Sequence, residues 1–308
     1  MRILLTLFLL TCVTATAAPQ LKVYQRGSIP IRVLYYTEGP LAVDPTDVNK
    51  NGIPDRVEDC LTSAMASKLL YCNLLGYPDP LHSGRLPRAR FIDIRLDAKV
   101  SHTNPSVSFP SDIPNNPRGA GSLTIYTQPK GSARPYSIPH ESFHLVQFAA
   151  TYCSTSWFTE GTARWSQQGL GNSKGQEAVP LDHWPLTRQE TSVLFEMKYD
   201  ASKFLWNRLA LLCDNDGEIP RGPVFEELMA MKYVDGSPVL KNTKLVGWRL
   251  MRDVFLQIEK LEDNKRLRHD DDAILGAVEK AAAKYLPKQM PAKSVPAGAD
   301  VAAEKAKK

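Results

Sequence analysis

Two neighbouring helical segments constrain this chain more than anything else in it: one carries His140, Glu141 and His144, the other Glu160. Residues 138–150 and 156–168 each read as a helix. Positions four apart on a helix share a face, with Cβ atoms about 5–6 Å apart, so His140 and His144 point the same way. Phe143, Leu145, Val146 and Phe148 supply the buried side, and Ser137 and Pro139 suit the first turn. Ser154 to Ser156 offer caps for the second helix. A short turn joins the two, and an antiparallel return brings Glu160 against the histidine face.

Two imidazoles and one carboxylate converging in this way form the ligand set of a catalytic zinc site, with the fourth position left for water. The residue after the first histidine projects beside the metal, where the Glu141 carboxylate can take a proton from water. A bare H-E-x-x-H also occurs in ordinary core and surface helices. The segment Trp157-Phe158-Thr159-Glu160-Gly161-Thr162-Ala163-Arg164-Trp165 is what turns it into a metal constellation.

HESFHLVQ followed by WFTEGTARW resembles the gluzincin metallopeptidases, in which H-E-x-x-H precedes a W-x-x-E-G-x-A helix. The resemblance implies a zincin-like metallopeptidase fold, zinc at His140, His144 and Glu160, Glu141 as general base, and a peptide or protein substrate. The metzincin pattern fails, because no Gly or His stands at the required places after His144. In thermolysin-like gluzincins an aspartate four residues after the glutamate ligand supports a zinc histidine. Here that residue is Arg164, so the support must come from elsewhere. The segment SLTIYTQ at 122–128 resembles the edge strand that zincins offer to an extended peptide. Tyr199 and His183 are candidates for steadying a tetrahedral oxyanion.

A second constellation lies upstream. Asp47 to Glu58 fits the twelve-position calcium loop, with side-chain oxygens at Asp47, Asn49, Asn51, Asp55 and Glu58. Ile53 offers its backbone carbonyl, and Gly52 takes the sixth position. Pro54 departs from the usual apolar eighth residue and no clear helix precedes Asp47, so this is a lone structural Ca2+ loop and not a paired sensor. The plain alternative is an Asn/Asp-rich turn capping the next helix. Together with the two later motifs, LAVDPTDVNKNGIPDRVEDC is similar to secreted bacterial metalloproteases that pair D-x-N-x-N-G-x-P-D with H-E-x-x-H. That likeness runs from Tyr35 to Leu212 and implies a bacterial protein acting in the periplasm or outside the cell.

The ends of the chain agree with export. Residues 1–17 read as a signal peptide, with Arg2, an apolar run from Ile3 to Val13, and Ala15-Thr16-Ala17 for cleavage. The run is shorter than the roughly 20 residues of a membrane span, and no other stretch qualifies. Cys12 as a lipoprotein cysteine is disfavoured by Thr11 before it and by its early position. Residues 287–308 lack aromatics and apolar periodicity and read as a disordered tail. Five lysines there against Asp300 and Glu304, together with Arg2, account for four of the five net positive charges. The body is therefore near neutral and lacks the basic face of a nucleic-acid binder.

Cys60, Cys72, Cys153 and Cys213 remain after cleavage, and an exported chain is expected to join them as two disulfides. Cys60 and Cys72 share one helix about 18 Å apart, beyond the roughly 7 Å limit. Each is thus expected to pair with Cys153 or Cys213; four buried free thiols are the alternative.

Strands are expected at 21–25, 31–37, 89–97 and 122–128, with a Pro/Asn/Ser-rich loop at 101–118. A long helix from Pro54 to Leu75 carries Val57, Leu61, Met65, Leu69 and Cys72 as its apolar stripe and stops at Gly76. Further helices are expected at 200–213, 223–233, 245–261 and 271–285. Strands first and helices later indicate an α+β protein, one zincin-like domain at 18–286 with lobes at 18–150 and 151–286. Zinc chemistry also admits hydrolysis of a non-peptide bond. A catalytically silent metal-containing binding protein is the other class, although it would need no base at Glu141.

Overall fold

The computed structural model describes residues 19–114, 116–131, 135–171, 179–262 and 269–286. The expected signal peptide at 1–17 and tail at 287–308 lie outside them. Within the described residues the fold is mixed α/β, with one five-stranded mixed sheet and eight α-helices. No helix among them is long and apolar enough to cross a membrane.

The strands are β1 (Lys22–Tyr24), β2 (Ile31–Tyr35), β3 (Ala89–Arg95), β4 (His102–Ser108) and β5 (Gly121–Tyr126), in the order β1-β2-β3-β5-β4. β2, β3 and β5 run parallel, while β1 and β4 pair antiparallel at the two edges. All five residues of β2 are buried, as expected for a strand covered on both faces. On one of those faces Arg32 forms a two-toothed ion pair with Asp93 at 2.7 and 2.9 Å. It also bonds Asn116 and Ser122, which satisfies a charge held away from water.

The sheet differs from the sequence expectation at one functionally important place. Residues 101–118 were expected to form a loop, yet 102–108 pair with β5 as its outer neighbour. The segment 122–128 is therefore an inner strand, and β4 is the edge. Pro105 disguises this strand, because proline cannot donate to a ladder and is tolerated only at edges and bulges. The register accordingly shifts between Asn104 and Ser108.

α1 (Asp55–Lys68) continues through a π-helical turn at Leu69–Leu74, matching the expected long helix. It is buried on nearly every side. Val57, Cys60, Leu61 and Ala64 face the sheet-side core. Ala66, Leu70 and Tyr71 face a second core built from the later helices. Small Ser63 and Ser67, both fully buried, let the two sides close on the helix. The expected stripe therefore captured only part of its buried surface.

The remaining helices are α2 (Ser137–Ala150), α3 (Ser156–Leu170), α4 (Arg188–Phe195), α5 (Asn207–Cys213), α6 (Pro223–Ala230), α7 (Trp248–Glu262) and α8 (Asp271–Ala282). A π-helical turn at Ser202–Trp206 leads into α5. α4, absent from the sequence reading, is held by a reciprocal cap between Thr187 and Glu190.

No disulfide joins the four described cysteines, in place of the two expected bridges. Cys60 packs in the sheet-side core, whereas Cys72, Cys153 and Cys213 belong to the helical one. The Cys72 thiol donates to the Pro78 carbonyl at 3.8 Å, and Cys153 Sγ lies 3.2 Å from Thr155 Oγ1.

Candidate metal centre

α2 has three faces, and its sequence explains each. Ile138, Leu145 and Ala149 enter the sheet-side core, while Phe143, Val146 and Ala150 enter the helical core. With two sides buried, the third presents His140, Glu141, His144 and Phe148 to an open cleft of about 660 Å³. α3 follows after the link 151–155 and packs against α2, which brings Glu160 to the histidines.

The three groups converge. Glu160 Oε2 lies 3.2 Å from His140 Nε2 and 3.5 Å from His144 Nε2, and the two imidazole nitrogens are 3.2 Å apart. One ligand atom from each residue lies within 4.8 Å of the others, and this is the one such group among the described residues. The donor set of two imidazoles and a carboxylate, open to a cleft, suits zinc in a catalytic arrangement. Electrostatics tie the groups together. Burial works against charge on His144, but its bond to Glu160 and the nearby Glu160 and Glu141 carboxylates outweigh this and raise its pKa. Burial likewise opposes ionisation of Glu160, yet its bonds to both histidines hold it far below the usual carboxylate range.

Glu141 is buried at the cleft wall, and its Oε2 accepts the Thr103 hydroxyl at 2.7 Å. Thr103 stands on β4, so the edge strand and the expected base are in direct contact. Ser101, His102, Pro105 and Ser106 of the same segment also line the cleft.

Tyr199 reaches the site. Its ring centroid is 5.8 Å from that of His140, and the side chain lines the cleft beside Glu160. Burial first, then the charges of Glu160 and Glu141, raise the tyrosine pKa. Gly161 makes this approach possible: a Cβ there would sit 2.8 Å from the Trp206 indole and 2.9 Å from Ala201. His183 is not brought to the cleft. Its two nitrogens bond Asp182 and Glu190 at 2.8 Å each, which places it on the cap of α4.

Four residues in and behind the cleft carry no functional signal in the sequence. Thr103 lay in a presumed loop. Gln147 bonds His144 Nδ1 at 2.7 Å and supplies the support that Arg164 does not; Arg164 is exposed and reaches Gln167. Ser154 and His269 meet across the cleft at 3.4 Å. His269 precedes α8, whose Asp271 accepts the Trp157 indole N–H at 2.7 Å. No local pattern marks a lone histidine that a distant helix carries into place.

No family model, curated protein or solved structure matches this chain.

In the upstream loop the polar side chains bond the backbone and one another. Asp47 accepts from the Asn51 and Gly52 amides at 3.2 and 2.8 Å, and Asn51 Oδ1 accepts from Ile53 N–H at 2.8 Å. Gly52 has φ +85°, a left-handed turn that glycine adopts without strain. The Asn49 and Asn51 amides both reach the Glu58 carboxylate, at 2.8 and 2.9 Å, which places three of the expected ligands side by side. Asp55 accepts from Val48 N–H at 3.0 Å.

Proposed function

We propose that this protein is a secreted zinc-dependent peptidase of zincin-like fold and gluzincin type. One observation carries the reading: His140, His144 and Glu160 converge beside Glu141 in a cleft that residues of an edge strand also line. The motif resemblance, the N-terminal export pattern and the separation of the base from the ligands all support it. His140 and His144 would hold zinc through Nε2, and Glu160 through its carboxylate. When bound there, the metal acidifies water toward a pKa of about 7 and polarises a scissile carbonyl.

The chain's own groups account for the rest. Glu141 accepts the proton from the attacking water and passes it to the leaving amine. Thr103 holds that carboxylate by one of its oxygens and leaves the other free for proton traffic. The outer edge of β4 offers backbone groups to an extended peptide, which gives affinity with weak sequence demands. Tyr199 supplies an O–H at the rim of the centre, suited to a developing oxyanion. At the loop Asp47, Asn49, Asn51, Ile53, Asp55 and Glu58 we assign structural Ca2+, tying the N-terminal segment to the start of α1.

The deciding measurement is zinc per chain in the purified mature protein beside Glu160→Ala. Wild type should hold one zinc and the variant should lose most of it. Glu141→Gln should then keep its zinc and lose hydrolysis of an unfolded protein substrate. Wild type that holds no zinc when supplied with it sinks the reading.

A further inference from the structure

Gln147 lies one turn beyond His144 on α2 and is fully buried. Its three side-chain hydrogen bonds admit one arrangement. The Thr159 carbonyl, 2.7 Å away, can only accept, so the amide nitrogen must face it. The second amide hydrogen goes to Thr162 Oγ1 at 2.6 Å, and that hydroxyl passes its own hydrogen to the Phe158 carbonyl at 2.8 Å. The amide oxygen therefore faces His144 Nδ1 at 2.7 Å and accepts from it, so Nδ1 carries a hydrogen. This leaves Nε2, the nitrogen turned toward His140 and Glu160, as the one free to present a lone pair. Thr159 and Thr162 flank Glu160 on α3. One amide thus sets the ring of one ligand and holds the helical turn that presents another.

We infer that Gln147 is the positioning residue of the metal centre: it fixes the His144 tautomer and locks that ring in register with the Glu160-bearing turn. The inference rests on the zinc reading above. It also explains why Arg164 is tolerated where a supporting carboxylate would otherwise stand. The support has moved from α3 to α2 and has become a neutral amide, able to donate to α3 as well as accept from His144. A carboxylate cannot do both. Glutamate at 147 would turn an acceptor oxygen on the Thr159 carbonyl, and alanine would remove the acceptor that holds His144 Nδ1–H.

The test compares wild type, Gln147→Ala, Gln147→Glu and Thr162→Val as full mature proteins. Zinc affinity is read by competition with a chromophoric chelator, and geometry by the visible absorption of the Co2+-substituted forms. Both Gln147 variants should bind zinc about 10- to 100-fold more weakly, with an altered cobalt spectrum. Thr162→Val, which keeps the glutamine and removes one of its partners, should lose severalfold and remain testable if the Gln147 variants fold poorly. A merely structural glutamine would lower the melting temperature of the metal-free protein and leave zinc affinity and the cobalt bands unchanged. Affinity within twofold of wild type in every folded variant overturns the inference while the zinc reading stands. Absence of zinc binding by wild type overturns both.

Discussion

Thr103 on the edge strand donates its hydroxyl to the Glu141 carboxylate across 2.7 Å. The strand proposed to receive substrate is thereby joined to the group proposed to move its proton. A single orienting bond of this kind contributes about 1–1.5 kcal/mol, or roughly tenfold in rate. Thr103→Val should lower kcat by about that factor with little change in KM, and Thr103→Ser should restore it. Steady-state kinetics with wild-type zinc content confirmed in each variant decides this; an unchanged kcat in the valine variant removes Thr103 from the mechanism.

Tyr199 lines the cleft with its ring 5.8 Å from that of His140, outside the proposed ligand set. Tyr199→Phe keeps the ring and deletes the hydroxyl. Loss of one oxyanion donor typically costs about 100-fold or more in kcat, so a drop of that order with full zinc occupancy is expected. If zinc is lost instead, the hydroxyl serves the metal ligands and not the oxyanion.

Gly161 is required by packing, since an added Cβ would meet Trp206 and Ala201 below 3 Å. Trp206 is itself stacked on Trp157 at 5.8 Å and donates to its carbonyl, so it has little room to yield. Gly161→Ala should cost about 1–3 kcal/mol through overpacking. Thermal denaturation should show a fall of several degrees, and the displaced 199–206 segment should reduce activity beyond what the stability loss explains.

The thiols give a pH dependence whose sign is set by burial. Desolvation pushes Cys60 up to about 11 and both Cys72 and Cys213 up to about 12, from an ordinary 9.0. The folded protein keeps protons that the unfolded chain releases near 9, so this contribution to stability is complete below pH 9 and is lost as pH rises toward 11–12. Melting temperature should fall through that window, and less steeply in Cys60→Ala. In denaturant without reductant, four thiols per mature chain should react with a chromogenic disulfide reagent. A count of zero would restore the two disulfides that export suggests.

For the loop at 47–58, Ca2+ is expected to raise stability by mass action, about 2.7 kcal/mol at a hundred times Kd. For a domain of this size that is roughly 5–10 °C in melting temperature. Glu58→Gln should abolish the shift, because Glu58 is the carboxylate on which Asn49 and Asn51 converge. An equal calcium response in that variant would reassign the loop to a plain helix-leading turn.

What could be read from the sequence was whatever depends on short spacing. The i, i+4 relation of His140 and His144, the period of α1 and the existence of the core strands all follow from neighbours in the chain, where helix and strand geometry act directly. Glu160 was also legible, because only the link 151–155 separates its helix from the histidines. Local spacing reached as far as the group of His140, His144 and Glu160.

The surroundings of those ligands were decided elsewhere. β4 was hidden because Pro105 and its polar neighbours have poor strand propensity, and only pairing with β5 makes 102–108 a strand. The cysteines were read from compartment and count, whereas the two cores separate Cys60 from the other three. Thr103, Gln147 and His269 reach the site through contacts between elements far apart or through a hydrogen-bond network, and neither leaves a periodic trace. The sequence by itself determined that His140 and His144 share a face with Glu160 close behind in the chain, since helical repeat and a short link dictate which side chains can meet. Only the tertiary structure decided which groups orient them and border the cleft, because those contacts arise when α2 is packed on both sides and left one open face.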